Sequence, residues 1–76
     1  MRILYATVHV YVGHPYNCRF DKAFRVKQGE SYMRQGIKLG NIMLAEFVES
    51  QFRNPKSKDY DYIDSISTIK VDRISI

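Results

Sequence analysis

Three side chains near the amino terminus have the chemistry of metal ligands: His9, His14 and Cys18, separated by four and three intervening residues. Structural zinc takes four ligands in a tetrahedral array. This stretch offers no fourth partner, and the two histidines differ in parity across a strand and its turn, so no metal site is expected. His9 or His14 together with Arg25 has the composition of a general acid–base pair that cleaves RNA. Such chemistry needs groups that converge in a cleft and exclude water, and a small sheet under one helix offers little concavity. The chain also carries no Gly-rich phosphate loop, no serine nucleophile elbow and no paired-carboxylate motif. The expectation is a protein that is not an enzyme, with no catalytic residues and no cofactor.

Other residues are suited to recognition. Tyr5, His9 and Tyr11 share one parity, and on a paired second strand they stand beside Arg19, Arg25 and Lys27. Flat aromatic surfaces next to phosphate-pairing cations can hold single-stranded RNA or an acidic protein. The bland alternative is a solvated sheet face with aromatic cross-strand pairs. Further along, Asp59, Asp61 and Asp64 interleave with Tyr60 and Tyr62. Read as a loop, this acidic aromatic segment offers rigid tyrosine contact area and carboxylates to a basic partner, or it is simply solvated. The candidate partner-binding residues are therefore Tyr5, His9, Tyr11, Arg19, Arg25, Lys27, Tyr60, Asp61 and Tyr62.

These residues must be held by regular elements. From Ile3 to Val12 apolar and polar residues alternate, with Leu4, Ala6, Val8, Val10 and Val12 on one side, which is a strand's period of two. Turn formers from Gly13 to Asn17 follow, and Phe20, Phe24 and Val26 then alternate with Arg19, Asp21, Arg25 and Lys27, predicting a hairpin. Lys22 falls on the apolar side of the second strand and marks the limit of the core. Ser31 is placed to cap a helix running to about Arg53, whose apolar stripe contains Met33, Ile37, Gly40, Leu44, Phe47 and Gln51, widened by Met43 and Val48. Gly36 and Gly40 each cost about 1 kcal/mol of helix propensity relative to alanine. They are expected to let the helix backbone approach the sheet. Pro55 ends the helix, and a last strand is expected between Ile66 and Ile74, short or bulged because its apolar parity changes.

The order is strand, strand, helix, strand. Layer packing then favours a small α+β domain, ββαβ, over residues 1–76. Its three-stranded antiparallel sheet in the order 2-1-3 is covered on one face by one long helix. The second strand becomes an exposed edge, with Arg19, Lys22, Arg25 and Lys27 discouraging accidental pairing.

Composition sets the outer limits. The 76 residues are 45% hydrophobic and 13% aromatic, too apolar for a disordered tail. The net charge of +4 is uneven: residues 1–40 carry +5 and residues 41–76 carry −1. Cys18 is the single cysteine, which fits a reducing compartment. No export signal or membrane-length apolar run is seen, so a soluble, cytoplasmic protein is expected, without membrane association.

The segments Leu4 to Val12, Phe20 to Val26, Met33 to Phe52 and Ile66 to Ile74 together resemble, in their order, the small early inhibitor proteins of T-even bacteriophages. These include the Dmd-like antitoxins, which neutralise a host ribonuclease toxin. The order is similar also to phage inhibitors of the ribonuclease toxin in RNA-antitoxin systems. The resemblance lies in element order and carries no contact residue to a numbered position. It implies a non-enzymatic inhibitor, acting in the host cytoplasm, whose partner is a host nuclease or toxin. An RNA-binding module using the basic aromatic hairpin is the competing reading. A homodimer joined through an exposed strand is the third.

Overall fold

The computed structural model describes residues 4–74. Strands β1 (Tyr5–Val12) and β2 (Cys18–Arg25) form the expected hairpin, followed by helix α1 (Tyr32–Gln51), a second helix α2 (Ser57–Ser65) and strand β3 (Ser67–Arg73). The sheet is antiparallel in the order β2-β1-β3. The α+β class and strand order therefore stand as the alternation predicts, while the helical layer has two members and not one.

The central strand carries the core. Ala6, Val8, Val10 and Val12 are buried, and they meet Leu44, Phe47, Val48, Ile63 and Val71 in one apolar cluster. Helix α1 starts where Ser31 accepts a hydrogen bond from the amide of Arg34 at 3.4 Å, and it ends at Phe52, whose amide still donates to the Val48 carbonyl. The two glycines mark the closest approach of helix to sheet. A Cβ built on Gly36 would lie 2.6 Å from both methyls of Val71, and one on Gly40 would lie 2.7 Å from Ile69 Cγ2 and 3.3 Å from Val8 Cγ2. The helix consequently lies over β1 and β3. It reaches β2 through long side chains, such as Phe47, whose ring centroid is 5.5 Å from that of Phe20.

Helix α2 replaces the loop expected around Asp59. The amide of Lys56 donates to Asp59 Oδ2 at 2.7 Å, and the amide of Asp59 donates back to the Lys56 carbonyl. This reciprocal closure satisfies amides that a helix start leaves without partners, and a carboxylate in the first turn also suits the helix dipole. Ile63 is the one buried residue of this helix and has no exposed surface. It anchors the helix beside Leu44 and Val48.

Met33 and Ile37, assigned to the buried stripe of α1, are 43% and 45% exposed. Gln51, at the stripe's other end, is exposed as well. Helix α2 is short, and its one buried residue, Ile63, sits beside Leu44 and Val48, further along α1 than Met33 and Ile37. The final strand ends at Arg73, and Ile74 follows it with its amide on the Tyr5 carbonyl. The strand is neither bulged nor cut short, and the parity change reflects Ile74 lying opposite Tyr5, on the other face from Ile69 and Val71.

If the glycines serve close approach, Gly36→Ala should lower stability by about 1–2 kcal/mol, because overpacking at Val71 costs more than the helix propensity gained. Urea denaturation measures this. In a double-mutant cycle, Val71→Ala should cost less in the Gly36→Ala background than in the parent. Additive effects would mean that the two residues do not press on each other.

Candidate functional site

The face of the sheet turned away from α1 is built by parity alone. Pairing sets Tyr5 opposite Arg25, Thr7 opposite Ala23, His9 opposite Asp21 and Tyr11 opposite Arg19. On the other side, Tyr11 pairs with Thr68, His9 with Lys70 and Thr7 with Asp72. The amide of Val26 donates to the carbonyl of Leu4 directly opposite, at 2.8 Å. Even-numbered residues of β2 thus exchange hydrogen bonds with β1. Open-face pairs between these strands are the non-hydrogen-bonded kind, in which side chains stand closest.

That closeness organises the charges. At the centre, His9 Nδ1 contacts Asp21 Oδ1 and His9 Nε2 lies 3.2 Å from Asp72 Oδ2. The first contact is the direct cross-strand pair and the second is the diagonal neighbour on β3. Donating to both carboxylates at once requires a ring that holds both protons. Arg19 Nε donates to Asp21 Oδ2 at 3.1 Å, and its guanidinium lies 5.8 Å from the centroid of the Tyr11 ring. A row of Tyr11, Arg19, Asp21, His9 and Asp72 therefore crosses the three strands, with the imidazole set between two carboxylates. Tyr5 and Arg25 flank this row towards one end, and Lys70 stands beside it on β3.

Asp21 responds to these neighbours. Its carboxyl is held below the ordinary aspartate range, first by the hydrogen bond from His9, with the charge of Arg19 adding to the effect and partial desolvation opposing it. The sheet face thus contains carboxylates that a reading of it as basic leaves out. Asp21 was visible as a member of the polar side of β2. Asp72 was not, because placing it requires the register of β3, which the sequence pattern left open.

The nine candidate residues do not form one surface. Tyr5, His9, Tyr11, Arg19 and Arg25 share the open face. Lys27 does not join them: β2 ends at Arg25, and Lys27 lines a groove on the helix side, with its amide donating to Gln35 Oε1. Tyr60, Asp61 and Tyr62 stand on α2, in the helical layer behind the sheet. One partner contacting both sets would have to wrap around an edge of the domain.

Among the described residues, no three His, Cys, Asp or Glu side chains are grouped to hold a metal ion. The two nitrogens of His9 point to different carboxylates, His14 is exposed in the turn, and Cys18 sits partly buried opposite Val12 at the margin of the core. No helix among the described residues is long and apolar enough to cross a membrane.

The acidity of Asp21 links this site to stability. A carboxyl that is more acidic when folded stabilises the fold above its unfolded value of about 3.9, and this contribution disappears as pH falls through the lower folded value. In urea denaturation, Asp21→Asn should therefore be less stable than the parent above about pH 5, with the gap closing as the solution becomes strongly acidic. His9→Ala should return the Asp21 carboxyl towards the ordinary range in a carbon-detected NMR titration. A gap that does not change with pH would show that Asp21 is not linked to folding. Comparison of the chain with protein-family models, with curated proteins and with solved structures gives no match in any of the three.

Proposed function

We propose that the chain is a non-enzymatic inhibitor of the phage type, which binds and neutralises a host toxin or defence ribonuclease through the open face of its sheet. The observation that carries this reading is the linked row of Arg19, Asp21, His9 and Asp72, set between the exposed rings of Tyr5 and Tyr11. Charges already held in place by their neighbours lose little freedom on binding, and a pattern of both signs selects a partner with the complementary pattern. Tyrosines contribute large contact area at low entropic cost, as binding anchors do. The choice of a ribonuclease among protein partners rests on the resemblance in element order to early phage inhibitors.

The competing reading is RNA binding, with Arg19 and Arg25 on phosphates and Tyr5 and Tyr11 on bases. It is supported by Arg25, which has no ion-pair partner among the described residues and stands opposite Tyr5. Against it, Asp21 and Asp72 lie on the same face and repel a phosphate backbone.

Affinity purification of tagged protein from bacterial cells, with and without ribonuclease treatment, separates the two. The inhibitor reading expects one nuclease or toxin at near-equal stoichiometry, resistant to ribonuclease. Tyr11→Ala should then weaken the purified complex by about 2 kcal/mol, roughly 30-fold. Recovery of mixed RNA, with proteins lost on ribonuclease treatment and binding that falls steeply with salt, would instead establish the RNA reading.

A further inference from the structure

The side of the molecule opposite the open face carries an exposed strand face and a groove. Because α1 lies over β1 and β3, the helix-side face of β2 is left uncovered: within the strand only Cys18 and Phe24 are even partly buried. Between the strand and the flank of α1 runs a groove of about 630 Å³, in which Phe24, Leu39 and Ile42 provide apolar surface. Four cations line it, Lys22, Lys27, Arg34 and Lys38, against the single carboxylate of Glu30. None of the four is in an ion pair with a described residue.

The edge of β2 beside this groove is open. Since even-numbered residues of β2 bond to β1, the amides of Arg19, Asp21 and Ala23 point outward, away from the sheet. Further along, the edge is already taken. Gln35 of α1 donates from Nε2 to the Arg25 carbonyl and accepts from the Lys27 amide at Oε1, both at 3.0 Å. Its side-chain amide occupies the position of a peptide group in a neighbouring strand. The same edge can thus take a real strand from Arg19 to Ala23, stopping at Gln35.

We propose that this edge and groove bind an acidic, extended segment of a partner protein by strand addition. The segment places aliphatic residues towards Phe24, Leu39 and Ile42, sets a carboxylate beside Arg25, which is in no ion pair with a described residue, and carries further carboxylates past Gln35 to Lys27, Arg34 and Lys38. Main-chain hydrogen bonds to the edge supply affinity, and the alternating side chains supply selectivity. Charge identifies the occupant. Lys22 projects from the otherwise apolar side of β2, a device that blocks neutral or basic strands from an edge while attracting an acidic one. A second copy of this chain is disfavoured, because β2 carries Arg19, Lys22 and Arg25 against Asp21 alone and would meet its own positive charge. The apolar lining and the directional edge favour a peptide over a phosphate backbone.

The test uses the full-length protein, labelled with nitrogen-15, and a synthetic peptide of about ten residues, a strand's length, that alternates glutamate with valine. The expected result is saturable binding, with amide exchange at Arg19, Asp21 and Ala23 slowed tenfold or more and chemical shifts moving at Gln35, Leu39 and Ile42. The matching peptide with lysine for glutamate should not bind. In the protein, Lys22→Glu with Lys38→Glu, both exposed positions, should weaken the acidic peptide at least tenfold while leaving the thermal unfolding transition in place. The proposal is overturned if the three edge amides gain no protection or if the lysine peptide binds as well. It is equally overturned if an oligouridylate displaces the peptide and moves the same groove signals, or if sedimentation shows the chain dimerising through β2. The groove and the open face lie on opposite sides of the sheet, so this outcome is read separately from the partner capture described above.

Discussion

The close approach of α1 to the sheet at Gly36 and Gly40 determines where everything else lies. With no Cβ at these positions, the helix backbone settles onto Val71, Ile69 and Val8, side chains of β3 and β1. A helix held there cannot also cover β2. The hairpin's second strand therefore remains bonded to β1 along one edge and uncovered on its helix-side face. Helix α2 fills the opposite flank of α1 with Ile63. An arrangement centred on the sheet would have buried Phe20 and Phe24 and excluded Lys22; the observed one leaves a lysine on an apolar face without burying its charge, because that part of the face is solvent-exposed.

The same sheet displays two different electrostatic surfaces. On the open face, polar groups are linked in a row: His9 acts on Asp21, and Asp21 holds Arg19, which lies over Tyr11. Exposed ion pairs of this kind add little to stability individually, so their main consequence is to fix where charge sits in the unbound protein. On the groove side the cations are in no ion pair with a described residue and attract any carboxylate that arrives. The uneven charge along the chain, +5 in residues 1–40, is thus divided between a face that also carries Asp21 and Asp72 and a groove whose single carboxylate is Glu30.

Much of this was legible in the residues, and the parts that were not share a cause. The alternation from Leu4 to Val12 identified the buried strand because both periodicity and composition pointed the same way. The hairpin and the sheet order followed from turn chemistry and layer packing. The pairing of Gly36 and Gly40 with close approach could be expected from their cost in a helix. Helix α2 was missed because only Ile63 is buried in its nine residues; a helix with one anchor has no stripe, and its tyrosines and aspartates look like a loop. Its start signal was nevertheless present in Asp59, three residues after Lys56. The helix-side exposure of Met33 and Ile37 and the position of Asp72 required tertiary placement, namely how far α2 extends and how β3 is registered. Local pattern does not contain either.

A domain of this size has a thin core and little stability to spare, and the uncovered side of β2 keeps apolar surface out of that core. Phe24, Leu39 and Ile42 would each become better buried if a further element lay against them. Any segment that binds there completes the packing that α1 leaves unfinished, and binding to the folded state alone raises stability with the logarithm of ligand concentration above Kd. The open face works differently: Arg19, Asp21, His9 and Asp72 already contact one another, so a partner there must match an existing pattern and cannot add to the core. A segment bound in the groove would therefore couple its binding to folding, whereas the open face presents a preset arrangement, and both surfaces follow from where two glycines allow one helix to rest.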